Sequence, residues 1–373
     1  MPHRQPRWPS ARLITAYWLV ACLILPRLSF TQETNSAALG LRIDKIMHQR
    51  HDSGDFNGTV LVARGGKIVY ERAFGLANRE WNIANDLRTK FEIGSMTKQF
   101  TAMLVLQFVN VGKLRLDGHV SEYLPYYRRD TGQQITISEL LSHTSGVPNF
   151  IDAPGFLDGP ASRAHYSVRK FVQKYCSGEL RFRPGSKFAY SNSGYFLLGA
   201  VLEQVSGESY ERLLQERIFQ PLGMKDSGYT HADAIIDHRA AGYERTSSGL
   251  RNARYYDMSI PYAAGALYST VEDLFLWDQA LYGERLLPAK LRELLFKPNL
   301  ESYGYGWALL VPEAGAPYAG ESIPMHGGAI FGFQSVIERI VQHRELIVLL
   351  DNTECPKLLE IAADIRQLLS NNP

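Results

Sequence analysis

Features that define several protein classes are scarce or missing in this sequence of 373 residues. The only cysteines are Cys22, Cys176 and Cys355, which are far apart and form no CxxC pair, so neither a zinc nor a redox motif is indicated. The lipase-type G-x-S-x-G elbow and the phosphate-binding G-x-x-x-x-G-K loop are absent. Lys and Arg number 40 against 38 Asp and Glu, so no field of one sign favours nucleic acid. We therefore expect no metal, no cofactor and no nucleic-acid partner.

The first thirty-odd residues have the composition of an export signal. Basic residues precede an apolar run from Leu13 to Leu25, which is too short for a comfortable membrane span. We interpret residues 1–31 as a signal peptide and expect a protein exported to the periplasm or the extracellular space. Two alternatives stay open, an uncleaved anchor and a lipoprotein processing box that would leave Cys22 lipidated. No later stretch reaches membrane-spanning length, so no transmembrane domain is expected in the mature chain.

Runs rich in β-branched residues lie near both ends of the chain, and helical spacing fills the middle. Residues 58–64 and 67–73 flank Gly65 and Gly66, a pair that permits positive φ in a two-residue hairpin. Further strands are expected within 305–311, 333–340 and 346–350, and helices within 41–49, 95–111, 136–141, 194–205, 210–218, 271–281 and 356–369. This pattern predicts an α/β domain built from residues 38–94 and 264–370. A mostly helical domain over 95–263 is inserted into it, and a site is expected in the cleft between the two.

The sharpest local signal is the run from Ser95 to Lys98, an S-x-x-K motif. Residues three apart share a helix face, so the Ser95 hydroxyl and the Lys98 amine are expected to lie within reach of each other. A serine needs a base to take its proton, and a lysine can be that base only if its ammonium form is disfavoured. The helix around Lys98 is apolar nearly all round, so burial is expected to lower the pKa of Lys98. A second copy, Ser167 to Lys170, lies in a charged amphipathic segment and is interpreted as a chance match.

A second motif is the run from Tyr190 to Asn192, which contains the only Y-x-N in the chain. Alternate residues of an extended turn point the same way, so both side chains are expected to face the cleft. Tyr190 is interpreted as a proton relay, and Asn192 as a hydrogen-bond partner for the substrate.

A third motif near the C-terminal strands consists of His326, Gly327, Gly328 and Ala329. Small residues at a strand edge let a substrate backbone lie against it. The N–H of Ala329 could join the N–H of Ser95 to form an oxyanion hole. We therefore expect this strand to bind the substrate beside the nucleophile.

In this order the three motifs resemble those of the penicillin-recognising serine hydrolases, specifically the branch of class C β-lactamases, DD-peptidases and esterases. The resemblance implies an α+β fold of the β-lactamase/transpeptidase type, in which helices flank an antiparallel sheet and a mostly helical domain is inserted. It also implies that Ser95 is acylated and that Lys98 and Tyr190 share the general-base role. The substrate-binding residues that it implies are Asn192, His326, Gly327 and Gly328. The implied activity is hydrolysis of an amide or ester in a small molecule or peptide, such as a D-amino acid peptide, a β-lactam or a small ester.

One departure from the β-lactamase pattern concerns the third motif. Many β-lactamases carry a lysine where this chain has His326, and an imidazole is charged only part of the time near neutral pH. Its affinity for a carboxylate should therefore weaken as pH rises, and broad antibiotic hydrolysis is not expected. His143 is interpreted as a structural residue in a turn.

Two other functional hypotheses stay open. One is a penicillin-binding or peptidoglycan-binding sensor that is acylated without efficient turnover. The other is an α/β-hydrolase-like esterase that uses a histidine base. The sequence also leaves open the oligomeric state, and whether Cys176 and Cys355 form a disulfide or stay unpaired.

Overall fold

The computed structural model describes residues 25–371. Most of the predicted signal peptide, together with the proposed lipidation site at Cys22, lies outside the described residues. Among the helices of the described range, none combines the length and apolar character needed to cross a membrane.

Helices and strands alternate along the chain in short elements. The α-helices are α1 (Leu25–Asp52), α2 (Thr97–Asn110), α3 (Val120–Tyr123), α4 (Arg129–Gly132), α5 (Ile137–Leu141), α6 (Val168–Phe171), α7 (Asn192–Ser206), α8 (Tyr210–Leu214), α9 (Gln220–Leu222), α10 (Tyr262–Gly265), α11 (Val271–Ala280), α12 (Ala289–Arg292) and α13 (Leu358–Ser370). The strands are β1 (Gly58–Arg64), β2 (Lys67–Phe74), β3 (Leu76–Asn78), β4 (Ile83–Ala84), β5 (Phe91–Glu92), β6 (Gly228–Tyr229), β7 (Tyr243–Thr246), β8 (Gly249–Asn252), β9 (Leu267–Ser269), β10 (Ala308–Leu310), β11 (Ile323–Ile330), β12 (Phe333–Ile340) and β13 (Glu345–Asp351). Short 3-10 turns include Gly94–Met96, and π-helical turns lie at Val172–Cys176 and Gln215–Phe219.

An antiparallel sheet of six strands, in the order β10-β11-β12-β13-β1-β2, joins the two ends of the chain. The N-terminal strand β1 pairs with the C-terminal strand β13 on one side and with β2 on the other. Gly65 and Gly66 connect β1 to β2 with φ of 58° and 74°, as the hairpin prediction requires. The mixed α+β architecture and the antiparallel sheet agree with the fold that the resemblance implied.

Both faces of this sheet are covered, which explains why the neighbouring strands β1 and β13 are mostly apolar and buried without alternation. Val60 and Val62 of β1 face a cluster formed by α1 and α13, to which Leu39, Ile43 and Ile361 also belong. The intervening residues of the same strand point the other way, into the larger core around α2. The turn Gly94–Met96, which leads into α2, packs against β11 and β12 of this sheet.

Some elements differ from the sequence-based expectations. Helix α1 starts at Leu25, well before the predicted segment 41–49. Strand β10 covers only Ala308–Leu310, because the residues before it form a turn in which the Gly304 N–H donates to Trp307 O. Both described cysteines, Cys176 and Cys355, are buried free thiols and form no disulfide.

A buried ion pair connects Arg339 of β12 to Asp278 of α11. The Nε of Arg339 lies 2.5 Å from Asp278 Oδ1, and both side chains are about 1% exposed. We expect Asp278→Ala to lower the free energy of unfolding by about 3–5 kcal/mol, because it leaves a buried guanidinium without its counter-charge. Urea denaturation measures this loss. The exposed Asp117, paired with Arg115 on the surface, supplies the control: Asp117→Ala should leave stability nearly unchanged, and equal losses in both variants would contradict this account.

Candidate active site

Ser95 lies in the tight turn Gly94–Met96 that leads into helix α2. Its side chain is partly exposed, whereas both neighbours are buried. Gly94 adopts a φ of 49°, and a Cβ at this position would come within 2.9 Å of the Ala329 nitrogen. A larger residue is therefore excluded, and the turn lies directly against strand β11.

Lys98 lies one turn further along, and its amine contacts three oxygen atoms. Its Nζ is 3.0 Å from Ser95 Oγ, 2.8 Å from Asn192 Oδ1 and 2.8 Å from the carbonyl oxygen of Ala264. The side chain has no exposed surface, and this burial holds the pKa of Lys98 well below its ordinary value. The predicted proximity to Ser95 and the predicted burial are both confirmed.

The three oxygen contacts place the Lys98 amine where it can exchange a proton with Ser95. The Asn192 and Ala264 oxygens can only accept, so each takes an N–H bond of the amine. Along the third contact, a protonated amine donates to the Ser95 hydroxyl oxygen. In the uncharged form, which burial favours, the nitrogen lone pair can accept the hydroxyl proton along the same contact, as a general base must.

The orientation of the Asn192 amide is fixed by a residue that sequence reasoning did not single out. The backbone N–H of Asn192 donates to Asn149 Oδ1 at 3.1 Å, so that atom must be an oxygen. Asn192 Nδ2 donates to the same oxygen at 3.3 Å, which leaves Asn192 Oδ1 facing Lys98. Asn192 is the first residue of α7 rather than part of an extended turn. Its second Nδ2 hydrogen remains available to a substrate.

Tyr190 covers the other side of the lysine. The Lys98 amine lies 4.8 Å from the centroid of the Tyr190 ring. Burial raises the pKa of Tyr190 above its ordinary value, and a hydrogen bond with Ser95 opposes that shift without reversing it. The phenol is therefore protonated near neutral pH. This state suits a proton relay better than the shared general-base role that the family resemblance implied.

His326 is held inside the protein by both ring nitrogens. Nδ1 lies 2.6 Å from Gly327 O and must donate there, because a carbonyl can only accept. Nε2 is then the acceptor for the Tyr303 hydroxyl, 3.0 Å away. Burial, together with the nearby Lys98, lowers the pKa of His326 to about 4. The imidazole is therefore neutral near pH 7, which differs from the expected partial charge.

The glycines of the third motif have separate surroundings. Gly328 is buried, and a Cβ there would lie 2.0 Å from Ile93 O. Its small size therefore lets β11 pack against the turn Gly94–Met96. Gly327 and Ala329 are more exposed. Strand β10 pairs with β11 only at 323–325, so within the described residues the edge at 326–330 has no strand partner on that side. An extended substrate could pair with this edge.

Comparison with known proteins matches this arrangement to a single family. The sequence model of the Beta-lactamase family matches residues 43–366. The chain belongs to the beta-lactamase/transpeptidase-like superfamily of serine hydrolases. PbpX of Bacillus subtilis (strain 168) is 30% identical to it over 331 residues, which cover 88% of this chain and 79% of that protein.

Solved structures of this superfamily share the fold. A penicillin binding protein from Bacillus halodurans superposes with a TM-score of 0.77 at 29% identity, over 86% of this chain and 98% of that one. The D-amino acid amidase from Ochrobactrum anthropi SV3 superposes with a TM-score of 0.78 at 23% identity, over 90% of this chain and 100% of that one. The latter likeness supports the fold alone.

Ser95 opens into a cavity of about 770 Å³. The cavity lining includes Ser95, Tyr190, Asn192 and the free edge of β11. Apolar and aromatic side chains, among them Phe150, Leu157, Tyr256 and Phe331, also line it. The S-x-x-K pair interpreted as a chance match lies elsewhere, and its Lys170 is exposed.

His143 forms hydrogen bonds with the backbone of both residues that flank Tyr190, which sequence analysis did not predict. Its Nδ1 accepts from the Ser191 N–H at 3.1 Å, and its carbonyl accepts from the Ala189 N–H at 2.9 Å. Its ring centroid lies 4.3 Å from that of Tyr190. Burial, then Lys98 and His326, hold the pKa of His143 well below its ordinary value. The neutral His143 ring packs against Tyr190 and bonds to the neighbouring backbone, so it can keep the Tyr190 side chain in place.

We expect His143→Phe to lower kcat by about 10- to 100-fold with little change in KM, because a small displacement of Tyr190 disturbs proton transfer. His143→Asn keeps an acceptor on a short side chain and tolerates the positive φ of 57° at this position. It should therefore restore part of kcat at an unchanged melting temperature. Parent-like kcat in both variants would show that the histidine only fills space.

Proposed function

We propose that this protein hydrolyses amide or ester bonds through a covalent acyl-enzyme on Ser95. The observation that carries the proposal is the set of contacts around Lys98. A fully buried amine contacts two acceptor oxygens and lies 3.0 Å from the hydroxyl oxygen of a partly exposed serine. Burial holds the pKa of this amine well below its ordinary value, and an amine in that state beside a serine can activate the hydroxyl for attack.

The reaction sequence follows from these positions. Ser95 passes its proton to Lys98 as Oγ attacks the substrate carbonyl, and the N–H groups of Ser95 and Ala329 stabilise the developing oxyanion. The ammonium of Lys98 then returns the proton to the leaving group through Tyr190, which breaks the amide or ester bond. In the second half, water passes a proton to Lys98 as its oxygen attacks the acyl carbonyl. The bond between Ser95 Oγ and the acyl carbon then breaks, Oγ takes that proton from Lys98, and the acid is released. Asn192 keeps Lys98 in place and offers its free amide hydrogen to the substrate.

The substrate is proposed to be a small molecule or peptide that lies along the β11 edge. The open edge at 326–330 and the apolar side chains that line the same cavity support this placement. Export is part of the proposal, and it rests on the N-terminal sequence.

An active-site serine probe tests the proposal directly. A fluorophosphonate incubated with the full chain should add one label, and peptide mass spectrometry should find that label on Ser95. Nitrocefin, D-Ala-D-Ala peptides, D-amino acid amides and short nitrophenyl esters should then identify the bonds that are cleaved. A label on another residue would overturn the mechanism. A burst of one equivalent with no steady state on every substrate would instead show a protein that is acylated without turnover.

A further inference from the structure

The cavity wall beside Ser95 carries very little charge. Among its described lining residues, Glu354 is the single side chain with a formal charge near neutral pH, since His326 is neutral. A carboxylate on a substrate would therefore meet no positive partner on this wall. Enzymes that recognise a carboxylate place a cation opposite it, because desolvating an unpaired charge is costly.

Two basic side chains near the cavity, Lys98 and Arg254, already have partners within the protein. Lys98 is the buried base, and its N–H bonds are used by protein oxygens. Arg254 lies 4.2 Å above the Phe331 ring, but its Nε contacts Glu244 at 2.9 Å and its Nη1 contacts Asp158 at 2.6 Å. The two carboxylates therefore already neutralise the positive charge of Arg254, and no unpaired cation is left for a substrate.

Glu354, in contrast, is held in place by the protein. The buried carboxylate of Asp351 accepts from the N–H groups of Thr353 at 2.7 Å and Cys355 at 3.1 Å, which fixes the turn on both sides of Glu354. Glu354 itself adopts a φ of 50°, and its Oε1 accepts from the Gly332 N–H at 2.9 Å. Within the described part of the chain no cation pairs with this carboxylate. A preorganised anion therefore faces the cavity with one oxygen free.

Many of the remaining lining side chains are apolar or aromatic, among them Phe150, Leu157, Tyr256 and Phe331. We propose that the site selects apolar esters or amides that carry an amine, which Glu354 pairs as an ammonium, and that it discriminates against substrates with a carboxylate. This selectivity rests on the proposed acyl transfer at Ser95. It disfavours substrates whose recognition depends on a carboxylate.

A series of three nitrophenyl esters with the same chain of five methylenes tests the selectivity. The 6-aminohexanoate ends in an ammonium, the heptanoate in a methyl group and the pimelate monoester in a carboxylate. We expect kcat/KM to fall in that order, by about tenfold from first to last, since a partly exposed charge pair contributes up to about fivefold in each direction. Glu354→Gln keeps the acceptor for Gly332 and should compress the range to about twofold, and Glu354→Lys should reverse the order.

The matched control is Glu313→Gln, an exposed glutamate outside the cavity lining, which should keep the parent order. Equal rates for the three esters in the parent, or a tenfold range of kcat/KM that Glu354→Gln does not compress, would overturn this inference while leaving the acyl-enzyme intact. Full hydrolysis of all three esters by Ser95→Ala would instead overturn the proposed function itself. The two failures are therefore distinguishable.

Discussion

Ser95→Ala is expected to reduce turnover of any cleaved substrate by about 10⁴- to 10⁶-fold, the range seen when a serine nucleophile is removed. The residue is partly exposed at the start of α2, so its loss should leave the melting temperature close to that of the parent. Steady-state kinetics with the best substrate of the panel, followed by thermal unfolding of the same preparation, measures both quantities.

The chain contains its own control for this variant. Ser167 begins the second S-x-x-K copy, whose Lys170 is exposed and whose position lies outside the cavity lining. Ser167→Ala should therefore keep the parent kcat/KM. Activity of Ser95→Ala within tenfold of the parent, or a loss of similar size in Ser167→Ala, would show that the nucleophile is elsewhere.

Lys98→Met is expected to lower kcat by about 10³- to 10⁴-fold, because the other recorded partner of the Ser95 hydroxyl, Tyr190, has a pKa raised by burial and stays protonated near neutral pH. Lys98→Arg should be equally inactive, since a guanidinium stays charged and cannot accept the Ser95 proton. Stopped-flow acylation with a chromogenic ester measures the step in which this proton moves. The corresponding control is Lys170→Met, which should acylate at the parent rate.

An active Lys98→Met variant would indicate a different base. The histidine-based alternative predicts that outcome, together with loss of activity when a histidine is replaced. The positions of the nearest histidines do not favour it: His143 and His326 are buried, and the nitrogens with recorded hydrogen bonds contact protein groups other than Ser95.

Local patterns were enough to predict the nucleophile turn and the core of the sheet. The Ser95–Lys98 spacing fixes proximity within one helical turn, and the apolar residues around Lys98 predict its burial. The same reasoning separated this pair from Ser167 and Lys170, because the second pair lies on a charged helix. The hairpin at Gly65 was equally predictable, since its turn type depends on two adjacent residues.

Contacts between distant parts of the chain were not predictable from local patterns. The carbonyl of Ala264 that binds Lys98 is a backbone group and has no signature in the sequence. Asn149, which orients Asn192, lies 43 residues away from it. The neutral state of His326 depends on its contact with Tyr303 and on its burial. The motif alone shows neither, so it led to the wrong prediction of a partial charge. A positioning role for His143 likewise emerges only when its ring is seen against Tyr190.

The protonation state of Lys98 is the central claim, and heteronuclear NMR of lysine side chains labelled with ¹³Cε and ¹⁵Nζ measures it most directly. The Lys98 signal is assigned as the one that disappears in Lys98→Met. At pH 8 it should show the shifts of an uncharged amine, and on acidification it should titrate far below a pH of about 10.4, the ordinary pKa of a lysine side chain. A signal that is ammonium-like at pH 8 and titrates together with the surface lysines would contradict the account.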